Sequence, residues 1–200
     1  MKNSRRKIAV LIICRVAVIG VISGSLAWYS STNSITQIGT LAGFRTKANV
    51  YLQDESGNKI NLQKDENGLF ILSADPSAEN YVGNLRVNVI HRGYANSYVR
   101  VKMSVQWTML DGTVTQNILL PYTFADGWYD NRDSDYCVYY TEDTGLFEDY
   151  DKSIITAFNS EKFAQETMTK DAVAKLAVSV ESIQINRYQQ VWGIETLPWE

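Results

Sequence analysis

Apolar and polar residues alternate most regularly in the segment YVRVKMSVQW, residues 98–107. The residues of one parity are apolar: Val99, Val101, Met103, Val105 and Trp107. Those of the other parity are polar or charged: Arg100, Lys102, Ser104 and Gln106. Because successive side chains of a strand point to opposite faces of a sheet, this pattern predicts a β-strand with one buried and one solvated face.

Shorter segments predict further strands and tight turns. LRVNVI (85–90) alternates in the same way, and the link HRGYANS after it predicts either a hairpin or a crossing between two sheets. VYLQDESGNKINLQ (50–63) predicts a hairpin that turns at Ser56-Gly57-Asn58. Asp111-Gly112 predicts another turn, followed by a strand that ends before Pro121.

Near the C-terminus the alternation changes phase. In KLAVSVESIQI (175–185) the apolar residues keep one parity up to Val180 and take the other parity from Ile183 onward. One extra residue in a strand produces such a slip, so we predict a β-bulge at Glu181 or Ser182.

A single segment has a helical pattern. It covers residues 161–172, follows a potential cap at Asn159 or Ser160, and has three apolar residues on one face: Phe163, Ala164 and Met168. Many short strands with one minor helix predict an all-β domain, either a sandwich or a barrel.

The first 27 residues have the layout of a secretory signal peptide. A basic head, MKNSRRK, precedes an apolar run that extends only from Val16 to Leu26, about half the length that a membrane-spanning helix needs. The small residues Ser25 and Ala27 fit the preference of signal peptidases, so we expect cleavage before Trp28. The alternative is an uncleaved anchor in which Arg15 reaches the lipid headgroups. After cleavage, residues 28–200 form one domain, and the membrane is met only during export.

Cleavage also changes the charge. It removes five of the 19 basic residues and none of the 22 acidic ones, so the net charge falls from −3 to −8. An acidic chain without clustered Lys and Arg is not a nucleic-acid binder. Cys14 lies in the signal, which leaves Cys137 without an internal disulfide partner, and we interpret it as a small buried apolar residue.

The sequence contains few of the residues that catalysis requires. His91 is the only histidine, and no Gly-x-Ser-x-Gly or His-Glu-x-x-His motif occurs. We therefore expect a structural or solvent-facing role for His91, no catalytic residues and no metal cofactor. Paired carboxylates of a glycosidase stay open as an alternative, because their separation is spatial.

The acidic loop ADGWYDNRDSDY (125–136) is the strongest candidate for a ligand site. Its four aspartates offer hard oxygen ligands for Ca²⁺: Asp126, Asp130, Asp133 and Asp135. The spacing is not that of an EF-hand and Arg132 lies among the acids, so calcium is a secondary candidate and a solvated turn the default. We interpret a second cluster, Glu148, Asp149 and Asp151, in the same way.

Trp107, Trp128, Trp192 and Trp199 offer a sugar-binding face, although tryptophan in a β domain more often belongs to the core.

Taken in order, several segments resemble the TasA/camelysin family of exported proteins of Gram-positive bacteria, which have a dedicated signal peptidase. The signal ends Ser25-Leu26-Ala27, and an aromatic start follows, Trp28-Tyr29-Ser30-Ser31. The family's Tyr-Val-Arg-Val-Lys signature is found at 98–102. Its Val-Glu-Ala-Ile-Gln signature is found at 180–184, with serine in place of alanine. Its Trp, Tyr-Tyr region corresponds loosely to Trp128 and Tyr139-Tyr140.

The chain departs from the family pattern in two places. The glycine-rich link before Tyr-Val-Arg is changed to His91-Arg92-Gly93-Tyr94, and the loop from Asp130 to Asp135 has no clear counterpart. The resemblance implies a jelly-roll-like antiparallel β-sandwich that is secreted and held at the cell surface or in the extracellular biofilm matrix. Relatives of this family form fibres by donating the mature N-terminal segment to a neighbour as a strand. Camelysin itself is described as a metallopeptidase, but no motif here supports transferring that activity.

Strand donation also has a physical basis in this sequence. Residues 28–40 have no charge and no proline, and they are rich in β-forming residues: Trp28, Tyr29, Thr32, Ile35 and Ile38. Such a segment is suited to pair with an exposed sheet edge. Its alternative role is the domain's own first strand. The sequence thus favours a structural protein that assembles with copies of itself, and other matrix proteins are further candidate partners. A ligand-binding surface adhesin is the first alternative and a secreted camelysin-like metallopeptidase the second.

Overall fold

We analysed a computed structural model that describes residues 44–93, 95–116, 119–142, 153–165 and 171–200. The strands in these ranges are β1 Phe44–Gln53, β2 Lys59–Ile60, β3 Phe70–Ser73, β4 Leu85–Gly93, β5 Ser97–Thr108, β6 Val114–Gln116, β7 Tyr122–Phe124, β8 Trp128–Asn131, β9 Cys137–Tyr140, β10 Ile155–Phe158 and β11 Val173–Gln184. The helices are short: α1 Arg132–Asp135, α2 Ser160–Gln165 and α3 Tyr188–Trp192.

The strands form two packed layers. Sheet A has the order β2-β1-β4, and sheet B has the order β3-β11-β5-β9-β8, with β6 also paired to β5. A third sheet, β10-β7, adjoins sheet A through a 2.8 Å hydrogen bond that the Ile154 N–H donates to the Val87 carbonyl. All strand pairs are antiparallel. The predicted antiparallel β-sandwich is therefore confirmed.

The core lies between sheets A and B. Alternate residues of β4 and β5 point into it, and Leu85, Val87, Val89, Val99 and Val101 are each at most 1 % exposed. Burial of each such side chain contributes about 1.5–3 kcal/mol. The polar residues between them face outward, as the alternation along the sequence predicts.

Most predicted strands and turns are confirmed. The segment 98–107 lies within β5 and 85–90 lies within β4, and the link between them crosses from sheet A to sheet B rather than closing a hairpin. The turn after β1 contains Gly57 at a φ of 84°, and the turn after β5 contains Gly112 at a φ of 80°. Both are left-handed conformations that favour glycine.

The predicted β-bulge is wrong. β11 pairs with β5 in an unbroken register from Val173↔Thr108 to Gln184↔Ser97. Ser182 therefore stays on the inner face, and Ile183 faces outward opposite Tyr98. The apolar phase changes because residues 188–200 fold over the outer face at this end of the sheet, so an apolar side chain is covered on either side.

The predicted helix is confirmed at its start but does not extend to residue 172, and residues 166–170 lie outside the described ranges. α2 begins as predicted, with the Lys162 N–H donating to Asn159 Oδ1 at 2.9 Å, and Phe163 is buried. Ala164 is exposed, contrary to the predicted apolar face, and Met168 lies outside the described residues. Ala172 is extended rather than helical, because its carbonyl accepts a hydrogen bond from Ala74 just before β11 begins.

The N-terminal predictions concern residues that the structure does not describe. These are the signal peptide, the cleavage site at Ser25, Ala27 and Trp28, and the donor segment 28–40, and they stay predictions. None of the helices within the described ranges is both long enough and apolar enough to cross a bilayer.

Candidate functional site

One side of the sandwich exposes two neighbouring strand edges. β2 pairs with β1 only at Leu52 and Gln53, and β3 pairs with β11 only from Val173 to Leu176. Along residues 44–51 of β1 and 177–184 of β11, no strand of the described chain pairs with the side that faces away from β4 or β5. We call these two segments the open edges.

The open edges lie next to each other, and their inner residues are incompletely covered. Thr46 Oγ1 of β1 and Ser182 Oγ of β11 are 2.5 Å apart. Four apolar inner residues of the two edges are half-buried: Ala48, Val50, Val178 and Val180. The residues that pair with them on β4 and β5 are buried. An unpaired edge with half-buried apolar side chains is the arrangement to which an added strand binds.

His91 connects the two sheets at this rim. Its Nδ1 is 2.7 Å from Thr46 Oγ1, so His91, Thr46 and Ser182 form a hydrogen-bonded chain from β4 through β1 to β11. His91 is 1 % exposed, and burial lowers its pKa to about 4. The imidazole is therefore neutral at neutral pH and closed to a substrate, which fits the structural role that the sequence predicts.

A second polar cluster lies on the outer face of sheet B. The Arg100 guanidinium donates to one Glu181 oxygen from Nε at 2.9 Å and from Nη2 at 2.7 Å, and from Nη1 to the Tyr139 hydroxyl at 3.4 Å. The Tyr139 hydroxyl donates to the Asp135 carboxylate. We call these four residues the outer network.

The surroundings of the outer network shift several pKa values. Burial is the largest single influence on the pKa of Arg100 and lowers it, but the nearby charges, chiefly Glu181, and the hydrogen bonds to Tyr139 and Glu181 together outweigh burial, so the net shift is upward. Burial and the hydrogen bond to Asp135 raise the pKa of Tyr139. Burial raises the pKa of the neighbouring Cys137 thiol to about 12, and Cys137 is 2 % exposed, as predicted for a small buried residue. A thiol with so high a pKa is a poor nucleophile at neutral pH.

The outer network is covered by residues 188–200, which we call the strap. Arg100 Cζ lies 4.6 Å from the centre of the Trp192 ring. The Tyr139 ring is 5.8 Å from that of Trp192 and 5.5 Å from that of Trp199. The strap contributes one buried side chain, Leu197.

The four aspartates of the acidic loop do not converge on one point. Asp126 and Asp133 are exposed, and Asp135 belongs to the outer network. Asp130 binds the buried Arg132 in a two-pronged ion pair, with Nε–Oδ1 2.8 Å and Nη2–Oδ2 2.9 Å. In the ranges given above, no group of three or more His, Cys, Asp and Glu side chains is placed to hold a metal ion. The second acidic cluster, 148–151, lies outside those ranges.

The four tryptophans do not form one face either. Trp107 and Trp128 are buried in the core, while Trp192 and Trp199 lie in the strap. The sequence analysis missed Thr46, named Ser182 only as a possible bulge, and did not predict the pairing of Arg100 with Glu181. The pair became visible only with the register of β5 and β11, since the two residues are far apart in the chain.

Comparisons of this chain with protein-family models, with curated proteins and with solved structures give no match.

Proposed function

We propose that this chain is an exported structural protein of the cell surface or extracellular matrix. It assembles into fibres when residues 28–40 of one copy pair with an open edge of the next copy. The observation that supports the proposal is the pair of adjacent open edges on β1 and β11, with half-buried apolar residues behind them.

The lengths and chemistry of donor and acceptor agree. Each open edge is eight residues long, and the donor segment, residues 28–40, is long enough to pair with the whole of either edge. None of the donor's side chains is charged, so pairing does not desolvate an ionised side chain. A donor at one end and an acceptor elsewhere form a head-to-tail contact, which propagates into a filament unless the rotation closes a ring.

Deletion of residues 28–36 tests the proposal. The mature protein, residues 28–200, should sediment as larger species as concentration rises and show fibres by electron microscopy. The deletion variant should be a folded monomer by near-UV circular dichroism. Fibres from the deletion variant would reject strand donation. An unfolded variant would show instead that the segment is the domain's own first strand.

A matched pair of point variants tests the donor contact itself. Ile35→Asp and Ser34→Asp add the same charge at adjacent residues, which face opposite sides of a strand. If Ile35 packs against the acceptor, its variant should raise the concentration needed for assembly about tenfold or more, equivalent to about 1.4 kcal/mol. Equal effects of the two variants would contradict a specific strand register.

The same samples test the alternatives. A protein that stays monomeric at high concentration with and without Ca²⁺ would favour the adhesin alternative. Casein hydrolysis that a chelator abolishes, in protein free of host protease, would favour the metallopeptidase alternative.

A further inference from the structure

Among the described residues, the strap contacts sheet B through side-chain packing. Tyr98 of β5 contacts two strap rings, Tyr188 at 5.6 Å and Trp199 at 5.8 Å between ring centres. Trp192 contacts Arg100 and Tyr139. These contacts are apolar or cation–π, each worth about 0.5–1.5 kcal/mol beyond the area that they bury.

The hydrogen bonds of the strap are made within it or to Arg187 of the turn that precedes it. The Gly193 N–H donates to the Gln189 carbonyl at 3.1 Å, Gln189 Nε2 donates to the Glu195 carbonyl at 2.8 Å, and the Glu200 N–H donates to the Leu197 carbonyl at 3.1 Å. Within the described ranges, no hydrogen bond joins residues 188–200 to sheet B.

The sheet beneath the strap is also complete in itself. Arg100 is bound by Glu181, and Tyr139 is bound by Asp135. Separation of the strap from the sheet therefore breaks no hydrogen bond between described residues, and Arg100 and Tyr139 keep their partners. Its cost is the loss of ring packing and of the burial of Leu197.

We propose that the strap is an exchangeable arm and that the outer face beneath it is a docking site for the strap of a second copy of this chain. The structure shows what fits this face, namely residues 188–200. A turn at Ile185–Arg187 joins the strap to β11. The thirteen residues of the strap span up to about 45 Å when extended, enough to reach a neighbour. Exchange of an identical element conserves every contact, which makes it a low-cost route to association.

A labelled synthetic peptide of residues 185–200 serves as the probe for a second strap. Its binding to full-length protein is measured by fluorescence anisotropy. The host is the full-length double variant Trp192→Ala/Trp199→Ala, whose own strap has lost its main ring contacts. We expect saturable binding to this host, and at least about tenfold weaker apparent binding to the wild type, because the resident strap occupies the face.

Two further substitutions in that host locate the contact. Tyr98→Ala removes the ring that touches Tyr188 and Trp199 and should weaken binding at least about tenfold. Tyr129→Ala is the matched control, since Tyr129 is an exposed tyrosine opposite Tyr139 in the same sheet, while the described ring contacts of Trp192 and Trp199 are made to Tyr139 and Tyr98. It should leave the affinity unchanged.

Several results would overturn the proposal. They are absence of saturable binding to a host that is folded by circular dichroism, and equal losses from Tyr98→Ala and Tyr129→Ala. If the double variant does not fold, the single variant Trp199→Ala becomes the host. If that variant also does not fold, the strap is an integral part of the domain and the proposal fails. Deletion of residues 28–36 from the host should not change the affinity, so strap exchange and strand donation can fail separately.

Discussion

The two faces of sheet B are held in different ways. The inner face is a continuous apolar surface, and Val99 and Val101 are almost fully buried against sheet A. The outer face at the same end carries an ion pair, tyrosines and a thiol, and the strap covers it. A substitution on the inner face destabilises the domain because the core there is close-packed and cannot rearrange around it. The ion pair and hydrogen bonds of the outer face, by contrast, are kept when the strap is altered. The same strands thus support an indispensable layer and a detachable one.

Aspartate substitutions on the two faces should show the largest difference. Val101→Asp buries a charge in the core and should destabilise the domain by more than about 4 kcal/mol, enough to unfold a marginal protein. Ser179→Asp on the outer face, opposite Lys102, should change stability by no more than about 1 kcal/mol. Urea denaturation followed by circular dichroism compares them, and similar losses would contradict the assignment of the faces.

The second largest effect should come from acid, which should lower the free energy of unfolding through His91 on the inner side of the sandwich. The unfolded chain protonates His91 near pH 6.5, but the folded chain does so only near its lowered pKa of about 4. In this window the unfolded state binds more protons, so the stability present above pH 6.5 falls as pH falls, by roughly 1.4 kcal/mol per unit.

The His91→Gln variant should have a flatter stability curve between pH 4 and 6.5. Because the chain has one histidine, its proton NMR titration is unambiguous. An imidazole pKa near 6.5 in the folded protein would contradict the buried position of His91.

Loss of the ion pair on the outer face should have a smaller effect. Arg100→Met leaves Glu181, 29 % exposed, without its cation and should cost about 2 kcal/mol. The double variant Arg100→Met/Glu181→Met should cost less than the sum of the single variants, by about 1 kcal/mol. A double-mutant cycle by urea denaturation measures this coupling, and additive losses would show that the pair does not interact.

The smallest effect should come from alkali, which should lower the free energy of unfolding through Cys137 on the outer face. Cys137 ionises near pH 9 in the unfolded chain but only near pH 12 when folded, so the folded state retains the proton and stability falls as pH rises above 9. We expect a loss of about 1 kcal/mol between pH 9 and 10 that Cys137→Ser abolishes. Above pH 10, the raised pKa values of Tyr122 and Tyr139 add losses of the same sign. An unchanged slope in Cys137→Ser would exclude the thiol as the cause.

The sequence pattern predicted the strands and turns whose formation depends on residues close together in the chain. β4 and β5 alternate because one face is buried, and Gly57 and Gly112 lie at turns that need their conformations. The phase change before Ile183 was misread as a bulge, since no local signal reveals that the strap covers the outer face there. The pairs Thr46–Ser182 and Arg100–Glu181 depend on register between distant strands, which a single sequence does not contain. Asp130 could be assigned to Arg132 rather than to calcium only from the geometry of the guanidinium.

The twelve-residue register between β5 and β11 also sets an order of folding. Ser97 pairs with Gln184 and Thr108 with Val173, so the central strand of sheet B gains its longest partner only after residues 109–172 and β11 itself have been synthesised. Pairing over such separations requires closure of a long loop and is slow. During synthesis from the N-terminus, the side of β5 that pairs with β11 therefore has no strand partner until β11 has been made. A chain that cannot finish its core early stays unfolded for longer, which is the state that the export proposed above would require.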